Sequence, residues 1–382
     1  MTGFKHIPFE RVAWTTTSFL SITLFLTLTA VPAYLIFFGM GWFMAGLLAF
    51  YLVATGLSIT LGYHRLFAHL SFGAKWPVRM FVLLFGAAAW ENSVLDWVSD
   101  HRRHHKHVDH DDDPYNINNG FFFAHVGWLL FKLSPEPPMD NVNDLRKDKW
   151  VLWQHRNVHW IALVVGFIVP AVLCGLVYGS WMAALGGFLI VGVLRTVIVQ
   201  HATFCINSAC HYFGKQPYSS KHSARDSWWI AFITYGEGYH NYHHEFQHDY
   251  RNGVKPWQFD PTKWTIWLLS KFGLTYNLRR VSDAKILLAE LTEARRRMES
   301  GLATFKNTDL TEAARARLHA SLEYLHLKQE ELASCYYQVQ KGVTERVEFS
   351  KAKVAQWRRE INHALRHLDE LLEVHTPAAA TA

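Results

Sequence analysis

Four short words in this chain place imidazoles at spacings that suit metal chemistry. They are HRLFAH (His64, His69), HRRHH (His101, His104, His105), NSACH (Asn207, His211) and HNYHH (His240, His243, His244). On a helix, positions i, i+3 and i+4 share one face, so each H-x-x-H-H presents three imidazoles together. N-x-x-x-H stacks an amide over an imidazole one turn away. His64 and His69 are five apart, a spacing that fits a helix whose end unwinds. Nine imidazoles exceed what one ion takes, so two ions with four or five ligands each is the natural count, and Asn207 can contribute directly or through a water. Imidazole suits zinc, copper, iron and nickel alike, so ligand type alone leaves the metal open. With no carboxylate among the ligands, nearby acids must orient the imidazole N–H groups and offset the charge. Asp100, Glu237 and Glu91 are the best placed for that. His248 lies one turn beyond His244, on roughly the same side, so spacing alone would admit it as a fourth imidazole of that stretch.

The clusters need elements that bring them to one level. Half of the 382 residues are apolar and only 18% are charged, so hydrophobic runs decide the fold class. Residues 15–38, 42–61, 160–179 and 182–204 are each close to the roughly 20 residues that cross a bilayer as a helix. They form two tight hairpins, and each cluster follows or ends a span on the same side. The hairpin turns lack Lys and Arg, whereas Lys5, Arg11, Lys75, Arg146, Lys149 and Arg156 lie beyond the other ends. The positive-inside rule therefore predicts an integral membrane protein with both termini and the metal site cytoplasmic, in a cell inner membrane or an ER-type membrane. Residues 80–90 and 120–131 are too short to span and are expected as interfacial or core segments of a cytoplasmic cap. Arg195, inside the fourth span, is expected to point into the cap or to snorkel. The net charge of +6 is expected to face anionic lipid. No basic patch beside exposed aromatics argues for nucleic acid.

The predicted fold is thus all-α: four transmembrane helices under a helical cap that holds a di-metal site. This domain covers residues 1–280. From 281 to 382 the chain is charged and rich in helix formers, which predicts a cytoplasmic helical hairpin or coiled coil with a frayed tail. Asp309 and Glu312 resemble a capping box within it. Cys174, Cys205, Cys210 and Cys335 include no C-x-x-C and are expected as small buried hydrophobes rather than disulfides or thiolate ligands.

The order of the four clusters resembles that of the integral-membrane fatty-acid desaturases. DWVSDHRRHHKH, GFFFAHVGWLL, ATFCINSACH and YGEGYHNYHHEF are similar to words of the stearoyl-CoA (Δ9 acyl-CoA) desaturase family over roughly residues 15–275. The resemblance implies a mushroom-like membrane enzyme. In it two iron ions (Fe2+) use O2 and two electrons to introduce a cis double bond into a saturated acyl chain. It implies as metal ligands His64, His69, His101, His104, His105, His211, His240, His243 and His244, with Asn207 holding a water on one iron. It implies substrate contacts at Asn92, Trp97, Asp100 and Thr203, and supporting places for Glu237 and His248. In relatives the helix before His64 lines the blind end of the acyl tunnel, where Leu52 and Gly56 predict room for a long chain.

Some positions depart from the family pattern. Ser99 stands where acyl-CoA-using relatives tend to carry Arg, and Lys132-Leu133 where they tend to carry Arg-Lys. Acyl-CoA is the expected substrate, with acyl-carrier protein or intact lipid as alternative carriers. No His-Pro-Gly-Gly haem word occurs, so a separate electron donor of cytochrome b5, ferredoxin or rubredoxin type is implied. The competing readings are a membrane hydroxylase on the same metals and a non-enzymatic metal- or lipid-binding membrane protein.

Overall fold

The computed structural model describes residues 9–132 and 138–304, with further helical positions between 316 and 359. Lys5, Leu133, Cys335 and the Asp309–Glu312 pair lie outside the described residues. The chain divides into two compact units, 1–215 with 222–280, and 216–221 with 281–382.

Four helices of the first unit are long and apolar enough to cross a membrane: α1 (Trp14–Phe38), α2 (Trp42–Ala68), α5 (Lys149–Tyr178) and α6 (Trp181–Tyr212). Between them lie α3 (Trp76–Ala88) and α4 (Val94–His107). After them come the short α7 (Trp228–Ile233), α8 (His240–Glu245) and α9 (Pro261–Lys271). The one pair of strands described, β1 (Gly73–Ala74) and β2 (Thr275–Tyr276), is antiparallel and ties the end of α2 to the segment after α9. The expected spans are therefore present, but three of the four helices overrun them. Hydropathy marks where lipid is, not where hydrogen bonding stops. Thus α2 continues through His64, α6 through Asn207 and His211, and α5 starts at the polar KWVLWQHRNVH. As expected, residues 80–90 and 120–131 are short: α3 has 13 residues, and residues 121–130 form a brief helix.

The end of α2 does not unwind. Residues Ser58–Ala68 are π-helical, and His69 N–H donates to His64 O across five residues. A wide turn brings positions i and i+5 into line, and the His64 and His69 ring centroids lie 4.7 Å apart. Helix α4 starts at Ser93, whose hydroxyl accepts the Asp96 N–H. Beneath the histidines, Ile59, Tyr63, Leu66, Val94, Val98 and Val199 pack in one apolar core, which fixes how α2, α4 and α6 stand relative to each other.

Arg195 does not snorkel, and one of its partners, the Ala88 carbonyl, belongs to the short segment expected in the cap. Arg195 is fully buried and donates to the carbonyls of Val191, Ala88 and Gly166. Its neighbours are backbone acceptors on α3, α5 and its own helix, so the charge serves as a three-way tie between helices. Cys174 and Cys210 are buried and Cys205 partly so, all three as free thiols.

In the second unit, α10 (Asp283–Thr304) carries Glu293, which accepts the N–H and hydroxyl of Ser220. Arg297 donates to Gln216 O, so residues 216–221 belong with this helix. Arg295 reaches His326 Nδ1 and Gln329 Oε1, and Gln329 returns a bond to Thr292. Those contacts lay a second helical stretch against α10.

Candidate metal centre

The histidines form two sets whose donor atoms lie within 4.8 Å of one another. One set holds His64, His69, His101, His105 and His243; the other holds His104, His211, His240 and His244. The sets cut across the sequence motifs. In HRRHH the i, i+4 pair, His101 and His105, joins the first set while His104 joins the second. In HNYHH the pair His240 and His244 joins the second set while His243 joins the first. Each motif thus spans both sets, and its single i+3 member crosses over.

The Nε2 atoms converge. Separations are 2.9 Å for His64–His243, 2.8 Å for His69–His101 and 3.1 Å for His105–His243. In the second set they are 3.3 Å for His104–His244, 3.1 Å for His211–His240 and 3.1 Å for His240–His244. Such spacings match the edges of a coordination shell with metal–nitrogen bonds of about 2.0–2.1 Å. Burial, then the charge of neighbouring imidazoles, pushes the pKa values of His69, His101, His105, His240, His243 and His244 well below the ordinary value. The rings are therefore neutral, as ligation requires. A pair of divalent ions with imidazole ligands fits both sets.

Four of the outward nitrogens have orienting partners. His104 Nδ1 lies 2.9 Å from both oxygens of buried Asp113, and His64 Nδ1 lies 3.0 Å from Glu237. His211 Nδ1 is 2.7 Å from Ser223 Oγ, whose hydroxyl in turn donates to Asp109; an Nδ1–H on His211 leaves its Nε2 lone pair pointing inward. His101 Nδ1 is 3.3 Å from the Tyr115 hydroxyl. Of the three acids expected to orient imidazoles, only Glu237 does so. Burial pushes its carboxyl up, but Arg65 and His64 outweigh that and hold its pKa below the usual value. Gly236, with φ of +99° and Asp260 where a Cβ would stand, makes the turn that aims Glu237 inward. Asp100 faces Arg103 instead, at 3.6 Å. His248 stays outside both sets, with Nδ1 2.9 Å from the carbonyl of His69.

Asp113, Tyr115, Ser223, Asp109 and Arg65 escaped the motif reading. The run DHDDDPY after HRRHHKHV contains Asp109, Asp113 and Tyr115 and was the available signal for those three. Arg65, inside HRLFAH, is buried and bonds Glu237, Asp260 and the Tyr250 carbonyl.

A cavity of about 190 Å³ opens beside the first set. Asn92, Trp97, Asp100 and Thr203, the four expected substrate contacts, all line it, together with His101 and Asn207. Trp97 stacks on His101 with centroids 4.8 Å apart. Glu91 joins the two walls: Thr203 donates to one of its oxygens at 2.8 Å and Trp97 Nε1 to the other at 3.3 Å. Trp90 and Asn92, on either side of Glu91, have φ of 60° and 67°, so strained backbone presents that carboxyl to the cavity. Glu91 is a wall tie, not an imidazole partner. Ser99 turns inward to Asn141. Gly56 offers no free space, because a Cβ there would meet the Tyr235 ring, whose hydroxyl donates to Leu52 O. The room expected beside Leu52 and Gly56 is filled by that tyrosine.

Burial raises the pKa of Glu91 from 4.5 to about 8. A carboxyl raised on folding stabilises the fold fully below its unfolded pKa, and that contribution is lost as pH rises through about 8. Glu91→Gln is expected to flatten this dependence, which is on the order of 3–5 kcal/mol for a shift of that size. Thermal unfolding of the detergent-solubilised protein between pH 5 and 9 checks this. Equal pH slopes for the variant and the parent would refute it.

The family model described as fatty acid desaturase matches residues 40–279. Among curated proteins, the chain is 46% identical over 237 residues to the probable acyl-CoA desaturase of Schizosaccharomyces pombe, covering 62% of this chain and 49% of that one. It is 42% identical over 238 residues to acyl-CoA desaturase 1 of Saccharomyces cerevisiae, covering 62% and 46%. It is 36% identical over 242 residues to the stearoyl-CoA desaturase of Homo sapiens, covering 62% and 67%. The aligned part spans about half the length of the two fungal relatives.

Proposed function

Because the chain belongs to the fatty acid desaturase family, we propose that it is an O2-dependent acyl desaturase that introduces a cis double bond, at Δ9, into a saturated acyl chain carried on CoA. The observation that carries this reading is the cavity beside the first histidine set, in which Trp97 touches both the cavity and His101. His64, His69, His101, His105 and His243 would hold one iron ion, and His104, His211, His240 and His244 the other, with Asn207 nearby on the cavity wall. The bound metals would activate O2, the oxidant, toward an unactivated C–H bond, a chemistry that no side chain offers.

The rest is the protein's own contribution. Asp113, Glu237 and Ser223 hold the imidazoles with their lone pairs inward. Trp97, Thr203 and Glu91, tied together, form a rigid wall that bends the acyl chain and selects one pair of carbons. A neutral Glu91 keeps charge out of that wall at neutral pH. The centre and both termini face the cytoplasm, because the basic residues flank the histidine-bearing side of the spans. The names of the relatives support CoA as carrier, although Ser99 and Lys132 leave fewer cations than the family pattern for its phosphates. Two electrons come from a separate donor of cytochrome b5, ferredoxin or rubredoxin type.

Expression in a host lacking its own desaturase is expected to yield monounsaturated acyl chains with the double bond between carbons 9 and 10, read by mass spectrometry. A hydroxylated product would instead make the protein a hydroxylase. An unchanged lipid profile from protein that has bound its metals would leave only a binding role.

A further inference from the structure

The two donor sets are unequal, five imidazoles against four, and a tenth imidazole stands beside the smaller one. We propose that His222, which lies in none of the histidine motifs, is an auxiliary ligand that completes the second set by rotation of its side chain. This deepens the metal reading above and rests on it.

The His222 ring centroid is 5.1 Å from that of His244, tilted by 41°. Both of its ring nitrogens are shielded from solvent, although the residue as a whole is half-buried. His222 is not among the donors already within 4.8 Å of one another, so ligation requires movement. That movement is confined to the side chain, because the next residue is fixed: the Ser223 N–H and hydroxyl both donate to Asp109, and its oxygen faces His211 Nδ1. A ligand set that can change from four imidazoles to five lets one metal position open and close while the other stays saturated.

The test uses the purified full chain, stripped of metal and titrated with Co2+ against a chromophoric chelator. The parent is expected to bind two equivalents. His222→Ala and His222→Phe are both expected to weaken one equivalent by about 10- to 100-fold and leave the other unchanged. The weakened equivalent should show the more intense visible absorption of a lower-coordinate Co2+. Free imidazole should restore His222→Ala. Phenylalanine keeps a ring against His244 but has no donor nitrogen, so parental affinity and spectrum in His222→Phe would overturn the proposal by reducing His222 to packing. Two weakened equivalents would overturn it as well, since the effect would then not belong to the second set. A parent chain that binds no Co2+ would instead sink the metal reading itself, and the proposal with it.

Discussion

Replacing His104 by alanine is expected to remove one of two metal equivalents and reduce desaturated product to background. His104 is the member of HRRHH that crosses to the second set, where its Nε2 faces His244 at 3.3 Å. Its loss leaves that set with three imidazoles, and also leaves Asp113 buried without the imidazole that both its oxygens face. Asp113 further accepts the backbone N–H groups of Asp109 and Tyr115, so its side chain organises the turn after α4. Asp113→Asn is therefore expected to be milder, with about 10- to 100-fold weaker metal binding, the usual cost of losing an orienting partner. Metal analysis of the purified protein and fatty-acid profiling in a desaturase-deficient host check both. Parental levels of unsaturated product from His104→Ala would refute the assignment of the second set.

Arg65→Met is expected to be the most destabilising single change in the first unit. The guanidinium donates to Glu237, to Asp260 and to the Tyr250 carbonyl, with all three side chains buried. Asp260 also takes the N–H groups of Asn252 and Gly253 and caps α9, while Glu237 faces His64. Removing the cation strands two carboxylates away from water, at a cost of about 3–5 kcal/mol, a large share of the roughly 5–15 kcal/mol that holds a domain folded. Lysine should rescue little, because a single ammonium cannot span the same fork of acceptors. Adding Asp260→Asn to Arg65→Met should recover part of the loss by removing one stranded charge. Thermal unfolding in detergent together with metal content is the measurement. An Arg65→Met protein that melts with the parent would show that the network adds nothing.

The four spans and the nine histidines were legible because both rest on local rules, hydropathy over twenty residues and imidazoles at helical spacing. What those rules cannot express is what stands in front of a face. Helical spacing places His101, His104 and His105 together, but their division between two sets depends on helices α2 and α8 closing over α4. The His64–His69 spacing read as a fraying end because five-residue periodicity is rare, whereas a π-helical turn satisfies it with its hydrogen bonds intact. Glu91 and Asp100 were near the clusters in sequence and still point elsewhere, while Asp113 and Ser223 reach imidazoles from loops whose path no periodicity predicts. Gly56 marked a notch in α2, and only the fold reveals that Tyr235 fills it.

The crossing of the two histidine sets also sets a timetable for biogenesis. His64, His69, His101 and His105 are synthesised early, yet their set is closed only by His243. The second set begins with His104 and ends with His244. A ribosome must therefore deliver both membrane hairpins and nearly two-thirds of the chain before either set can be complete. Until then the nascent protein displays up to seven of the nine imidazoles, an incomplete chelate open to the wrong ion. Metal loading is thus a concern of the finished chain, and a truncation anywhere before residue 243 leaves both histidine sets incomplete at once.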